Sequence, residues 1–246
     1  MKQTVIITGV GKGFGRSLMI SLSENYHVVG ISRSESDFED LNKELAQNNA
    51  QFDLLAADIT NQDLVSKLLD PILSKKHGQV LGIINNAGLR CRENFLELSP
   101  DTLSNVLNVN LMAPFFFAQK LMPIFLENKK GRIINISSIL SESALPNLSA
   151  YTISKSALDG LTRALTAEFA SNNITINSVL PGFCKTSYFE SFKTKEDLYK
   201  MTINRTPAGR WGEDDELHGI CKLLLSDEGA YINGASIPVD GGWIAC

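Results

Sequence analysis

Seven short apolar runs recur along this chain of 246 residues, and longer stretches with helical periodicity lie between most of them. The runs are Val5-Ile6-Ile7, Val28-Val29-Gly30-Ile31, Phe52-Asp53-Leu54-Leu55, Val80-Leu81-Gly82-Ile83-Ile84, residues 132–136, residues 174–179 and residues 235–239. Several are continuously hydrophobic, as strands covered on both faces must be, so a parallel sheet is expected. The clearest helical stretches are residues 36–48, 60–76, 99–128, 149–172 and 213–226, with Ser99 and Ser149 as N-cap candidates. This alternation predicts a doubly wound α/β fold, a seven-stranded parallel sheet with helices on both faces. No Pro/Gly/Ser-rich linker or internal repeat divides the chain, so one domain over 1–246 is expected, long enough to bury its own core.

Composition removes several kinds of chemistry. With 23 basic against 27 acidic residues and a net charge of −4, the chain has no basic run suited to a phosphate backbone, so nucleic acid is not an expected partner. Cys91, Cys184, Cys221 and Cys246 show no paired spacing, and His27, His77 and His218 include no pair at helical ligand spacing. Disulfides, a catalytic metal and a serine–histidine triad are therefore not expected. The segment Met1-Lys2-Gln3-Thr4 enters a strand directly, without a signal-peptide core, and no segment approaches twenty apolar residues. A soluble cytoplasmic protein without a membrane partner is expected.

The first strand runs into Thr8-Gly9-Val10-Gly11-Lys12-Gly13-Phe14-Gly15, followed by an amphipathic stretch beginning at Arg16. Strand, glycine turn and helix in this order suit a dinucleotide: glycines let the backbone approach a diphosphate, and the helix N-terminus attracts its charge.

The spacing across Gly9, Gly13 and Gly15 is joined by four other motifs. These are Asn85-Asn86-Ala87-Gly88 after the fourth strand, Ser138 after the fifth, Tyr151-x3-Lys155, and Pro181-Gly182 after the sixth. Together they resemble the short-chain dehydrogenase/reductase family over nearly the whole chain. The closing segment, Arg210-Trp211-Gly212 through Val239-Asp240-Gly241-Gly242, looks like that of the family's 3-oxoacyl-[acyl-carrier-protein]-reductase-like members. The resemblance implies an NADP(H)- or NAD(H)-dependent oxidoreductase acting between an alcohol and a carbonyl.

Dinucleotide sites choose their cofactor just beyond the second strand, where a carboxylate would accept ribose hydroxyls and repel a 2′-phosphate. Here Ser32-Arg33-Ser34 offers no carboxylate before Glu35, and Arg33 presents a permanently charged fork suited to phosphate. Lys12 adds a second cation, and both positions resemble those of NADP-preferring members, so NADP(H) is expected over NAD(H). The competing reading makes both residues solvated loop charges. By resemblance Asp58-Ile59 contacts the adenine ring, although Asp58 also reads as a helix N-cap. The resemblance also implies that the backbone of Asn86, Ala87 and Gly88 passes close to the adenine ribose.

Tyr151 and Lys155 stand four apart at the start of a predicted helix, sharing one face with Cβ atoms roughly 6 Å apart. A free phenol, with a pKa near ~10, is a poor neutral-pH acid/base unless a cation favours its phenolate, and Lys155 supplies that charge. By resemblance Ser138, preferred over its neighbour Ser137, holds the substrate oxygen. Tyr151 exchanges the proton, and Lys155 also binds the nicotinamide-ribose hydroxyls. Asn110 matches the family's fourth catalytic residue. Pro114, four residues later, lacks an amide hydrogen, so the Asn110 carbonyl loses its helical partner and a kinked helix with a water relay toward Lys155 is expected.

Pro181-Gly182-Phe183-Cys184-Lys185-Thr186 resembles the nicotinamide cradle, with backbone near Cys184 and the hydroxyl of Thr186 in contact. Cys184 is not read as a nucleophile, because no histidine adjoins it. The interval 183–212 is the least regular; it carries Phe183, Tyr188, Phe189, Phe192, Tyr199 and Met201, and reads as a substrate-covering segment or as a plain surface helix and loop.

The substrate is left open between a 3-oxoacyl thioester, a sugar, a steroid and a small ketone or alcohol; a catalytically silent NADP-binding regulator is the non-enzymatic alternative. Lys129 and Lys130 resemble a carrier-protein docking patch, whereas Asn172-Asn173 does not, and Arg90 and Arg92 are candidates for an anionic substrate. The apolar surface of residues 99–128 and 149–172, with the resemblance, implies a homo-oligomer, a dimer or tetramer.

Overall fold

Strands β1 (Thr4–Thr8), β2 (His27–Ser32), β3 (Phe52–Ala56), β4 (Val80–Asn85), β5 (Gly131–Ile136), β6 (Ile174–Pro181) and β7 (Ser236–Val239) pair into one parallel sheet in the order β3-β2-β1-β4-β5-β6-β7. The computed structural model describes residues 2–76, 79–186 and 189–245; His77, Tyr188 and Cys246 lie outside the described residues. Every strand pairing is parallel, and the order reverses between β1 and β4. That reversal splays the following connections to opposite faces and opens a crevice at the carboxyl ends of β1 and β4. The expected fold class is the one observed.

The period of two along β1 divides the core. Val5 and Ile7 point to the face covered by α1 (Gly13–Ser23), α2 (Glu39–Gln47) and, near the far edge, α9 (His218–Leu225). Ile6 points to the opposite face, where Val65 and Leu69 of α3 (Gln62–Pro71) and Phe117, Leu121 and Phe125 of α5 (Ala113–Asn128) are buried. Two further helices lie on that second side, α4 (Pro100–Leu107) and α6 (Ser149–Phe169). Burying one such large side chain contributes roughly 1.5–3 kcal/mol, so the layers hold because both faces of every central strand are apolar.

Helix boundaries depart from the sequence reading where capping and backbone chemistry intervene. The stretch 36–48 opens as a 3-10 turn over Glu35–Phe38 before α2 begins. The stretch 99–128 is split by a π-turn at Asn108–Met112, with the Ala113 amide reaching back to the Asn108 carbonyl. Ser99 does cap α4, its hydroxyl accepting from the Thr102 amide at 3.0 Å. Ser149 does not cap α6: Leu148 holds that position, and the Ser149 hydroxyl is buried without a partner among the described residues.

Helix α1 starts at Gly13, ahead of Arg16. The rod 100–128 is long and apolar enough, by length and composition, to cross a membrane, contrary to the expectation that no segment is. The scattered polar residues that break its apolar runs hide this from a run count. In the fold Phe117, Leu121 and Phe125 are fully buried against the sheet.

Candidate active site

The crevice at the switch point is a cleft of about 540 Å³ that runs from the glycine turn, past β4, to Tyr151 and Lys155. Its floor is built from backbone. Gly9 has φ +76° and Gly13 φ +56°, a region that side chains rarely adopt, and the Gly9 amide donates to the Ile31 carbonyl at 2.7 Å. A Cβ on Gly15 would collide with the Gly9 carbonyl and with the Asn86 amide group, so Gly15 serves the close approach of α1 to the turn and does not itself line the cleft. Gly11, Lys12, Gly13 and Phe14 do line it. The turn, with the open N-terminus of α1 beside it, fits a diphosphate.

Asn86 explains why β4 ends where it does. Its Nδ2 donates to the carbonyls of Thr8 and Gly9, both at 3.0 Å, while the amides of Asn86 and Ala87 donate to the Thr8 hydroxyl at 3.1 and 3.0 Å. The side chain thus pins β4 to the glycine turn, and Ala87 and Gly88 border the cleft behind it. One residue earlier, a buried polar chain crosses the sheet. Asn85 Nδ2 donates to Asn135 Oδ1, Asn135 Nδ2 to the Thr162 hydroxyl, and that hydroxyl pairs with Ser178, each at 2.8 Å. These bonds satisfy buried groups that would otherwise each cost about 1–3 kcal/mol.

Beyond the ends of β2 and β3 the cleft is lined by Ser32, Arg33, Asp58 and Ile59, and by Asp37, which the sequence reading did not single out. Asp58 is not a helix cap. It accepts from the Thr60 amide at 2.9 Å and the Thr60 hydroxyl at 2.7 Å, and Asn61 instead caps α3, accepting from the Leu64 amide at 3.1 Å. Those two hydrogen bonds, and to a lesser degree the Arg33 charge, hold the Asp58 carboxyl below its usual range.

The other end carries the titratable pair. Lys155 is buried, donates through Nζ to the Ile136 carbonyl at 2.7 Å, and lies 5.7 Å from the Tyr151 ring centroid. Burial pulls its pKa down to about 8, only partly offset by Asp159 one turn further on. Ser138 and Ser137 both line the cleft. The Ser138 oxygen accepts from the Leu140 amide at 3.1 Å, whereas the Ser137 hydroxyl points at the Lys155 carbonyl at 3.4 Å.

Asn110 stays behind the cleft wall, almost fully buried. Its Oδ1 accepts from the Leu89 amide at 2.7 Å, and its Nδ2 donates to the Leu89 carbonyl and the Ser154 hydroxyl, both at 2.9 Å. The π-turn ahead of Pro114 gives it this position, and a Cβ on Gly88 would stand 3.6 Å from both Asn110 Oδ1 and Lys155 Nζ. Ser154 was missed by the sequence reading; it lies within Tyr151-x3-Lys155, and only the turn of α6 aims it at Asn110.

The interval 183–212 is more regular than expected, carrying α7 (Phe189–Lys193) and α8 (Glu196–Arg205). Trp211 holds them together, its ring 5.2 Å from those of Phe183 and Phe189, 5.0 Å from Phe192 and 5.7 Å from Tyr199. Its indole N–H donates to the Thr202 hydroxyl at 2.8 Å. Met201 packs against the small apolar cluster of Ile139, Leu140, Leu148 and Trp243. Phe183, Phe192 and Trp211 line the cleft with Pro181, Gly182, Cys184 and Thr186, and Thr186 reaches over Gly13. Burial, reinforced by Glu216, pushes the Cys184 thiol up to about 12, in keeping with a residue that is not a nucleophile.

Arg90 lines the cleft; Arg92 is exposed and does not. Lys129 and Lys130 stand at the amino end of β5, opposite Ser138, and Lys130 is paired with Asp227 at 2.5 Å. They form no patch beside the cleft mouth.

The family model described as enoyl-(acyl carrier protein) reductase matches residues 9–244. The chain is 34% identical over 245 residues to a 2-dehydro-3-deoxy-D-gluconate 5-dehydrogenase of Dickeya dadantii, covering 99% of this chain and 96% of the relative. It is 28% identical over 240 residues to a 3-oxoacyl-[acyl-carrier-protein] reductase of Thermotoga maritima, covering 97% and 96%. Among solved structures it resembles a gluconate 5-dehydrogenase from Burkholderia cenocepacia in complex with NADP and tartrate, with a TM-score of 0.93, 29% identity and coverage of 100% and 97%. A cleft at the switch point, with a tyrosine and a buried lysine at one end, on a chain matched over its length by these proteins, belongs to a member of the short-chain dehydrogenase/reductase family, an oxidoreductase acting on CH–OH and C=O groups.

Proposed function

We propose that this chain is an NADP(H)-preferring dehydrogenase or reductase of a sugar acid or related small polyhydroxy carbonyl compound, with Tyr151 as its acid/base. The observation that carries this is the Tyr151–Lys155 pair facing a cleft that continues to a glycine turn. The glycine turn, with Gly9, Gly11, Gly13 and Phe14, takes the diphosphate and Gly15 lets α1 approach. Ser32, Arg33 and Lys12 take the adenosine-ribose substituent, and Asp58 and Ile59 flank the adenine. Asn86, Ala87 and Gly88 shape the ribose wall, and Pro181, Gly182, Cys184 and Thr186 hold the carboxamide end. The NADP held by the Burkholderia structure supports this assignment. Bound nicotinamide supplies or takes the hydride at the substrate carbon.

The protein's part is proton transfer and orientation. The Ser138 oxygen already accepts from the Leu140 amide, which leaves its hydrogen to donate to the substrate oxygen. Tyr151 gives its phenolic proton to that oxygen when a carbonyl is reduced and takes it back when an alcohol is oxidised. The Lys155 ammonium, held by the Ile136 carbonyl, favours the phenolate and reaches toward the nicotinamide ribose. Asn110 fixes Leu89 and α6 relative to each other. Residues 183–212 cover the substrate, with Phe183, Phe192 and Trp211 excluding water.

A cation in the cleft, Arg90, and the sugar-acid names of the relatives favour an anionic polyhydroxy substrate. A 3-oxoacyl thioester is the second reading, favoured by the Thermotoga relative and weakened by the position of Lys129 and Lys130. We place the protein in the cytoplasm. The discriminating experiment follows NADPH oxidation over keto-sugar acids, keto sugars, small ketones, steroids and carrier-linked 3-oxoacyl thioesters, in wild type and Tyr151→Phe. Turnover of a keto-sugar acid, lowered roughly 10²–10⁴-fold in the variant, is expected; equal turnover by the variant removes the mechanism. Turnover of the thioester alone selects the second reading.

A further inference from the structure

The adenosine end of the cleft holds a feature at odds with a simple phosphate cradle. Asp37 lies on the 3-10 turn Glu35–Phe38, beyond the end of β2. The turn starts with Ser34, whose hydroxyl accepts from the Ser36 amide, and the Asp37 amide reaches back to the Ser34 carbonyl at 3.2 Å. This fold-back carries the Asp37 carboxylate into the cleft, where it accepts a short hydrogen bond from the Ser32 hydroxyl. The same oxygen, Oδ2, also lies against the glycine turn: a Cβ on Gly11 would stand 2.6 Å from both Asp37 Cγ and Asp37 Oδ2.

The charge around it is balanced. Lys12 and Arg33 line this end of the cleft, but so do Asp37 and Asp58. The Asp58 oxygen is engaged by Thr60. Among the described residues Asp37, a cleft-lining side chain, has Ser32 as its donor and no cation at ion-pair distance, which leaves its carboxylate with acceptor capacity to spare. A carboxylate beside the end of the second strand accepts ribose hydroxyls and repels a 2′-phosphate. In this chain it arrives from five residues beyond Ser32, by way of a turn, which is why a scan of the strand end passes over it.

We propose that Asp37 is a cofactor-discriminating residue: its carboxylate accepts the adenosine-ribose hydroxyls of NAD(H) and opposes the 2′-phosphate of NADP(H). The preference that Arg33 and Lys12 give for NADP(H) is thereby narrowed, and removing one negative charge widens it. This rests on reading the cleft as a nicotinamide dinucleotide site.

Titration calorimetry on the full chain, without substrate, tests it by comparing dissociation constants for NADP⁺ and NAD⁺, and for the fragments 2′,5′-ADP and 5′-AMP. Asp37→Asn keeps an acceptor for Ser32 and removes the charge; Asp37→Ala removes both. Both variants are expected to raise the ratio of NAD⁺ to NADP⁺ dissociation constants at least tenfold over wild type, and to tighten 2′,5′-ADP relative to 5′-AMP. Arg33→Ala is expected to lower that ratio. A ratio within twofold of wild type in both Asp37 variants, with wild type binding either dinucleotide, overturns the role of Asp37 and leaves the cleft assignment standing. Failure of wild type to bind either dinucleotide overturns the cleft assignment and this role with it.

Discussion

At the scale of single residues, Lys155 sets function against stability. Its ammonium is buried, and its folded pKa of about 8 lies below the ordinary lysine value of 10.5 because burial disfavours the charge. Between those two values the unfolded chain binds more protons than the folded one, so this group makes stability rise with pH across that window and costs stability below it. A shift of this size corresponds to about 3 kcal/mol, at 1.36 kcal/mol per unit, offset by about 1 kcal/mol for the hydrogen bond to the Ile136 carbonyl. Lys155→Met is therefore expected to abolish turnover while stabilising the protein by about 2 kcal/mol at pH 7. Urea unfolding of both proteins at pH 7 and at pH 10.5 checks this, and the gap should shrink at the higher pH.

At the scale of elements, two helix glycines with the same local propensity differ in what surrounds them. Gly15 on α1 faces the Gly9 carbonyl and Asn86, with the Gly9 carbonyl carbon 2.9 Å from a built Cβ, whereas Gly219 on α9 has nothing within 4 Å. Gly15→Ala must push α1 off the turn that Asn86 holds, and the expected result is a loss of about 1–3 kcal/mol with nucleotide binding weakened at least tenfold. Gly219→Ala should gain about 0.5–1 kcal/mol, since the helix then loses less backbone freedom on folding. Thermal unfolding with and without NADP⁺ separates the two. The glycine spacing was legible as a turn in the sequence, yet the division of labour within it was not, because the colliding atoms of Gly9 and Asn86 come from other elements.

At the scale of the whole molecule, the outer faces of α5 and α6 remain partly apolar. Phe115 and Ile153 are 42% and 44% exposed, and Met112 on the adjoining π-turn 44%, while Phe117 and Leu121 on the inner face of α5 are fully buried. We expect these outer faces to meet in a homo-oligomer, a dimer or tetramer. Light scattering at micromolar concentration should give a multiple of 27.0 kDa for wild type and a smaller assembly for Phe115→Glu. A monomeric wild type would remove the assembly, leaving the cleft, whose described lining comes from one chain, unaffected.

The sequence alone determined what short-range chemistry dictates. Continuous apolar runs such as Val5-Ile6-Ile7 point to covered strands, the spacing of Gly9, Gly13 and Gly15 after the first of them points to a turn, and Tyr151 and Lys155, four apart, share one face of the helix they stand on. Tertiary structure decided whatever depends on a second element. It brought Asp37 back against Gly11, turned Ser154 toward Asn110, gave the α3 cap to Asn61 rather than Asp58, and gathered Phe183, Phe189, Phe192 and Tyr199 around Trp211. Periodicity fixes which face a residue occupies along its own axis, but it carries no information about the distance between axes, and these contacts are set by that distance.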